Sequence, residues 1–192
     1  MYILIMFLSK VFANLIFQSI VTYTSAKTII EDEKLSEVVA ANMLKYLIAY
    51  IVSILMFAFT KNIIGRFVVF TVISMLTGVF LSQSGVRNVK DALLDAVAIF
   101  IAMFALGIAT YSLGYDLRTL GSVLFVSLVG MILFRLFTGQ QLSRVLVYIF
   151  ALFVVYDTNN ILKRNYEGNF IGASFDYFAD LINLFNGFLD NE

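Results

Sequence analysis

Apolar stretches long enough to cross a membrane recur along the chain, with short polar segments between them. Because a membrane-spanning helix needs about 20 predominantly apolar residues, this pattern predicts an all-α polytopic bundle of seven transmembrane helices. The predicted spans are Val11–Thr28, Met43–Thr60, Ile64–Leu81, Ala92–Leu113, Leu120–Phe137, Leu142–Leu162 and Ile171–Leu189. Most connections are short, so neighbouring helices should run antiparallel. Residues 1–192 are therefore expected to form a single domain.

Two segments outside these spans are interpreted separately. The apolar lead Met1–Leu8 has no basic residue before it and no small-residue cleavage site, so it is not typical of a secretory signal. The segment 31–37 holds most of the charge between the first two spans and is predicted to be a solvated loop. Its charged residues are Glu31, Asp32, Glu33, Lys34 and Glu37.

Polar and small residues inside the spans repeat at helical spacing. Residues four apart share one face of a helix, which predicts a polar stripe on the first span at Lys10, Asn14, Gln18 and Thr22. A similar stripe on the third span comprises Thr71, Ser74, Gly78 and Ser82. Small residues let helices approach closely, so packing is expected at the pairs Gly78 with Ser82, Ala98 with Ala102, and Ala105 with Ala109.

Composition supports a membrane protein and excludes several classes of chemistry. The mean hydropathy is +0.93, and only 14% of the residues are charged. Basic and acidic residues are equal at 13 each, so charge gives no reason to expect a nucleic-acid partner. The sequence contains no Cys and no His, which excludes thiolate chemistry, disulfides and imidazole bases. Any response to pH near neutrality must therefore come from carboxylates.

Two acids, Asp157 and Asp180, lie inside apolar stretches near the end of the chain. Charged groups are costly inside a membrane and are retained there chiefly where they handle ions or protons. If the last turn is centred near Glu167, a rise of 1.5 Å per residue brings the two acids within roughly 5 Å of the same depth. Asp176 and Asn183 share the helical face of Asp180.

Two neighbouring carboxylates away from water cannot both ionise cheaply, so the pair is expected to hold one proton. A shared proton would clamp the two helices together, whereas its loss would favour separation or an arriving cation. Calcium prefers six to eight oxygen ligands, and Asp157 with Asp180 would provide a weak, transient metal site. Weak binding suits conduction, because an ion must also leave. Further residues of the possible ion pathway are Asp176, Asn183, Asn159, Asn14 and Gln18.

Several segments resemble the Bax inhibitor-1 family, also called the transmembrane Bax inhibitor motif family. The opening KVFANLIFQSIVTY is similar to the family's first span, and AVAIFIAMFALGIATYSLGYDLRTLG is similar to its fourth. The end of the chain carries the most specific likeness, with VYDTNNI similar to the sixth-span Tyr-Asp motif and DYFADLINLF to the seventh-span motif. Together these segments cover most of the chain.

The resemblance implies a seven-helix fold whose last helix is surrounded by the other six, and a passive calcium leak tuned by pH. In this family the two aspartates of the sixth and seventh spans form a hydrogen-bonded pH sensor and gate, which corresponds to Asp157 and Asp180 here. The second span lacks the family's acid, and Ser82 stands where many members have Pro. Lys61 is the residue nearest to the family's latch Arg, although a Lys cannot reproduce a bidentate guanidinium contact.

The resemblance also implies the partners. They are the lipid bilayer, calcium ions as the transported ion with no other cofactor, and other membrane proteins of cell-death pathways. Neither the distribution of Lys and Arg nor any retention signal indicates the orientation or the compartment, which leaves the endoplasmic reticulum, the Golgi apparatus and the plasma membrane open.

Alternatives to the channel hypothesis remain open at the level of sequence. One acid could merely neutralise a buried base, for which the candidates are Lys163, Arg164 and Lys61. The chain could instead be a non-conducting regulator of apoptosis that acts through protein partners, or a proton-coupled exchanger. An enzyme is not expected, because the chain lacks Pro and His and has no Lys in its last span. Intramembrane proteases and retinal proteins need those residues.

Overall fold

The computed structural model describes residues 2–83, 89–139, 142–164 and 168–189. Within these ranges the chain forms α-helices and no strand, so the all-α prediction is confirmed. The helices are α1 (Tyr2–Glu31), α2 (Glu33–Ala41), α3 (Met43–Phe59), α4 (Ile63–Ser82), α5 (Val89–Ser112), α6 (Arg118–Thr138), α7 (Ser143–Arg164) and α8 (Phe170–Leu189). Glu167, the expected centre of the last turn, lies outside the described residues.

The beginning of the chain differs from the prediction in two places. The apolar lead and the first span form one continuous helix, α1, because no Gly or Pro interrupts residues 2–31. The predicted charged loop was wrong, since residues 33–41 form α2. The Asp32 side chain caps α2 by accepting a hydrogen bond of 3.0 Å from the Leu35 backbone N–H. Val39 anchors the helix in a small core with Ile29 and Val79.

Five of the described helices, α1, α4, α5, α6 and α7, are long and apolar enough to cross a membrane. The helices α2 and α3 meet at a 74° bend and would make a sixth span if counted as one. Helix α8 is not among these candidates. Its length of 20 residues is sufficient, but Asp176, Asp180, Asn183 and Asn186 lower its hydropathy. A multi-pass protein is thus confirmed, whereas the count of seven spans is not.

The chain divides into two compact units, and the single domain stays a prediction. The amino-terminal unit comprises Ile5–Gly85 and Asn169–Phe175. In it, α1 and α4 approach so closely that a Cβ atom on Gly78 would lie 2.4 Å from the Thr22 carbonyl oxygen. The expected packing role of Gly78 is therefore confirmed. Phe175 stacks on Phe57, with ring centroids 4.3 Å apart.

The carboxy-terminal unit comprises Met1–Leu4, Val86–Gly168 and Asp176–Glu192. Here α5 packs on α7, and a Cβ atom on Gly107 would lie 2.4 Å from the Cβ atom of Thr158. The expected packing of small residues on α5 was wrong, because its four alanines at that spacing are exposed. These residues are Ala98, Ala102, Ala105 and Ala109. The close approach uses a different face of the helix, which carries Gly107.

Candidate functional site

The site forms where α7 faces the second half of α8, within the carboxy-terminal unit. Helix α7 carries Asp157 between the buried residues Val154 and Thr158, and α8 buries Asp180 to 4% exposure. The side chains of Asp157 and Asp180 are hydrogen-bonding partners. The structure therefore brings together the two acids that were selected from the sequence.

One oxygen of this pair lacks a conventional donor. Oδ2 of Asp180 is buried and accepts no hydrogen bond from any N–H or O–H group in the described part of the chain. A buried acceptor without a donor costs about 1–3 kcal/mol. A single proton shared by the two carboxyls would let one of them donate to the other.

Asp176 lies close enough to interact electrostatically with both members of the pair. The other amides proposed as ligands donate their side-chain N–H groups to partners outside the acid pair. Asn183 donates to the Ala179 carbonyl oxygen of its own helix at 2.8 Å. Asn159 is 2% exposed and donates to the Thr110 hydroxyl at 3.2 Å. The described residues contain no group of three or more acidic side chains arranged to hold a metal ion.

A second hydrogen bond between α7 and α8 lies beside the acid pair, and the sequence analysis missed it. The fully buried Tyr177 hydroxyl donates to Thr158 Oγ1 at 3.0 Å, and Thr158 Oγ1 donates to the Val154 carbonyl oxygen at 2.7 Å. The Tyr177 ring packs edge-on against Phe100 with centroids 5.3 Å apart. A tyrosine three residues before an intramembrane acid was the available signal, because a buried tyrosine hydroxyl usually finds a partner.

Two of the three basic residues considered as neutralising partners are engaged elsewhere or exposed. The Lys163 ammonium donates to the Tyr115 carbonyl oxygen, and Lys61 is exposed. Within the described ranges, salt bridges join Lys27 to Glu31 and Arg118 to Asp116, and none involves Asp157 or Asp180. The side chain of Arg164 lies outside the described residues.

The polar stripe of α1 belongs to the amino-terminal unit. Asn14, Gln18 and Thr22 are buried, but Lys10 at the start of the predicted stripe is exposed. Gln18 donates to the Thr71 hydroxyl at 3.2 Å. Three buried polar atoms of this cluster have no hydrogen-bond partner among the described residues: Asn14 Nδ2, Gln18 Oε1 and Ser74 Oγ. Buried water commonly satisfies such groups.

Comparison with known proteins places the chain in a family. The family described as "Inhibitor of apoptosis-promoting Bax1" matches residues 4–190. An uncharacterised protein of Helicobacter pylori strain J99 is 29% identical over 68% of this chain and 62% of its own length. Bax inhibitor 1 of Schizosaccharomyces pombe is 29% identical over 67% of this chain and 51% of its own length. Protein LIFEGUARD 4 of Arabidopsis thaliana is 33% identical over 46% of this chain and 41% of its own length.

The matched stretch thus spans about six-tenths or less of each of these relatives. The family match covers nearly the whole chain, and the apolar helices α1, α4, α5, α6 and α7 have the length of membrane spans. The chain therefore belongs to the Bax inhibitor family and is an integral, multi-pass membrane protein.

Proposed function

We propose that this protein is a pH-sensitive calcium leak channel gated by Asp157 and Asp180. The observation that carries the proposal is the hydrogen-bonding contact between these two acid side chains. Neither acid has a basic partner in a salt bridge among the described residues. The proposed function is transport rather than catalysis.

Proton occupancy would determine whether α7 and α8 stay together at this point. With one proton, the two carboxyls form a charge-assisted hydrogen bond, which is stronger than a neutral one. With none, two charges about 4 Å apart repel by about 4 kcal/mol at an effective dielectric constant of about 20. That exceeds the net value of about 1 kcal/mol expected for the neighbouring Tyr177–Thr158 hydrogen bond. Loss of the proton would therefore favour separation of the two helices at the acid pair despite that bond.

Calcium enters the proposal as the transported ion. The ionised pair would attract a divalent cation, and Asp176 would add a third negative charge nearby. The described residues contain no group of three or more acidic side chains arranged to hold a metal ion, so few charged oxygen ligands are available. Calcium normally takes six to eight oxygen ligands, so this small set would bind it weakly and release it readily. Asn14 and Gln18 would form a separate polar stretch of the pathway in the amino-terminal unit.

The seven-span arrangement with a central last helix is also part of the proposal. Many residues of α8 are buried although the helix carries polar side chains. Its first residues contribute Ile171, Ala173 and Ser174 to the interior of the amino-terminal unit, and its remaining residues contribute Tyr177 and Leu184 to the other. A helix enclosed by protein can carry more polar residues than one that faces lipid.

Calcium flux into liposomes containing the purified full chain tests the proposal. We expect a leak that is lowest where the pair holds one proton and that therefore changes with pH. Asp157→Asn and Asp180→Asn each place a permanent amide donor in the pair, so each variant should leak slowly and independently of pH. Asp95→Asn removes an exposed acid from α5 and is the matched control, which should retain the wild-type pH profile.

Other outcomes of this measurement would contradict the proposal. Transport of calcium against its gradient under an imposed proton gradient would identify an exchanger. Absence of flux at every pH would favour the second candidate, a non-conducting membrane regulator of apoptosis that acts through other membrane proteins. The name of the Schizosaccharomyces pombe relative, Bax inhibitor 1, supports that candidate.

A further inference from the structure

A polar cavity of about 190 Å³ lies in the carboxy-terminal unit, apart from the acid pair. It forms between the start of α6, with the two residues that precede it, and the end of α7. Pockets for drug-sized ligands measure roughly 300–1,000 Å³, so this cavity suits a small polar group. Its lining residues are Asp116, Leu117, Arg118, Tyr156, Asn159, Asn160 and Lys163.

The cavity wall offers more hydrogen-bond donors than acceptors. Arg118 bonds to both oxygens of Asp116 through Nε and Nη2, at distances down to 2.6 Å. This leaves Arg118 Nη1 without a partner in the described part of the chain. The Lys163 ammonium has three N–H groups and uses one on the Tyr115 carbonyl oxygen.

Two uncharged side chains add to this surplus. Tyr156 and Asn160 line the cavity, and the Tyr156 hydroxyl and the Asn160 side-chain amide form no hydrogen bond within the described ranges. Gly121 fixes the position of the tyrosine, because a Cβ atom there would lie 2.4 Å from the Tyr156 ring. The ring can rest against α6 only because that side chain is absent.

Charge and position both indicate the class of ligand. Two cations and one anion on the wall leave a net positive charge, and the single carboxylate already accepts from Arg118. The spans that surround the cavity end at Ser112, begin at Arg118 and end at Lys163. That is the depth at which a membrane span meets the phosphates of lipid headgroups. An anion with several acceptor oxygens would satisfy the free donors.

We propose that this cavity binds a phosphate group, from an anionic lipid headgroup or from a soluble phosphate. Arg118 Nη1 and the remaining N–H groups of Lys163 contact the phosphate oxygens. The Tyr156 hydroxyl and the Asn160 amide donate to the same oxygens and orient the group. The site does not depend on calcium conduction, because neither Asp157 nor Asp180 lines it.

Ligand-induced stabilisation of the full chain in detergent micelles tests this proposal. The probes are phosphatidylglycerol, phosphatidylcholine and inorganic phosphate, with the melting temperature as the readout and native mass spectrometry to count retained lipid. We expect phosphatidylglycerol to stabilise the protein and phosphatidylcholine to have little effect. Stabilisation by inorganic phosphate as well would identify a site open to soluble ligands. Stabilisation by phosphatidylglycerol alone would identify the headgroup as the source.

Variants distinguish binding in this cavity from a general attraction of anions to basic residues on the surface. Lys163→Gln should weaken phosphatidylglycerol binding about tenfold, and Tyr156→Phe should weaken it about threefold while removing only one hydroxyl. Arg135→Gln and Arg144→Gln alter exposed basic residues at the opposite ends of α6 and α7, and both should bind as the wild type does. Equal losses in all four variants, or no binding of either anionic probe to the wild type, would overturn the proposal.

Discussion

Tyr177 shows how one hydroxyl can determine the geometry of the acid pair. It lies three residues before Asp180 on α8, and its partner Thr158 directly follows Asp157 on α7. The hydrogen bond of 3.0 Å between Tyr177 and Thr158 therefore holds the two helices together one helical turn from the carboxyls. Sequence alone could not reveal this contact, because it depends on how the two helices are rotated about their axes.

Removal of that hydroxyl by Tyr177→Phe should destabilise the protein by about 0.5–1.5 kcal/mol, the usual net value of a buried hydrogen bond. Thr158 keeps its bond to the Val154 carbonyl oxygen, so no donor is stranded. Chemical unfolding in detergent measures the effect. Tyr148→Phe is the control, because Tyr148 is 71% exposed and lies on α7, the helix that carries Thr158. Equal losses in the two variants would show that the Tyr177 bond contributes nothing.

Asp116 provides a contrasting carboxylate outside the spans. The hydrogen-bonded guanidinium of Arg118 lowers the pKa of Asp116 to about 2. A lowered pKa stabilises the folded state above the ordinary value near 4, and this contribution is lost as the pH falls toward 2. The effect of Asp116→Asn on stability should therefore be the same at pH 5 and at pH 8. Unfolding measured at both values checks this, and a difference between them would mean that Asp116 titrates in that range.

At the scale of helices, the apolar pattern predicted the bounds of α3 to α8 well because no Pro interrupts any of these helices. The segment 31–37 misled the prediction because its charge was taken as a sign of a loop. Glu, Lys and Leu are good helix formers, and Val39 gives α2 one buried anchor. The prediction for the alanines of α5 was wrong for another reason. Their spacing shows that they share one face of the helix, but it does not show what that face contacts.

Gly107 and Gly130 make a matched test of helix packing. Ala at position 107 would place its methyl group 2.4 Å from Thr158 Cβ, whereas nothing lies within 4 Å of a Cβ atom at position 130. Gly107→Ala should therefore destabilise the protein by about 1–3 kcal/mol through overpacking. Gly130→Ala should be neutral or stabilise it by up to about 1 kcal/mol, since Ala favours a helix. Similar melting temperatures for the two variants would contradict this account of α5 and α7.

For the whole molecule, the sequence predicted the all-α fold class, the membrane character and the two acids, because these follow from composition and spacing. Asp157 and Asp180 were found as isolated charges in apolar surroundings, which needs no knowledge of the packing. The cavity beside Lys163 was not found, since its residues come from two separate stretches of the chain, 116–118 and 156–163. The role of Asn159 on the ion pathway stays a prediction; its contact with the Thr110 hydroxyl could not be predicted, because it depends on how α7 is rotated about its axis.

Thr158 contributes to the structure in three ways. Its methyl side fills the hollow left by Gly107, its hydroxyl accepts from Tyr177, and its backbone adjoins Asp157. Volume gained at position 107 can therefore be accommodated only by giving up volume at position 158. A relative that met this demand by replacing Thr with Ala would also lose the hydroxyl that accepts from Tyr177, and the contact between α7 and α8 beside the carboxyls would be weaker.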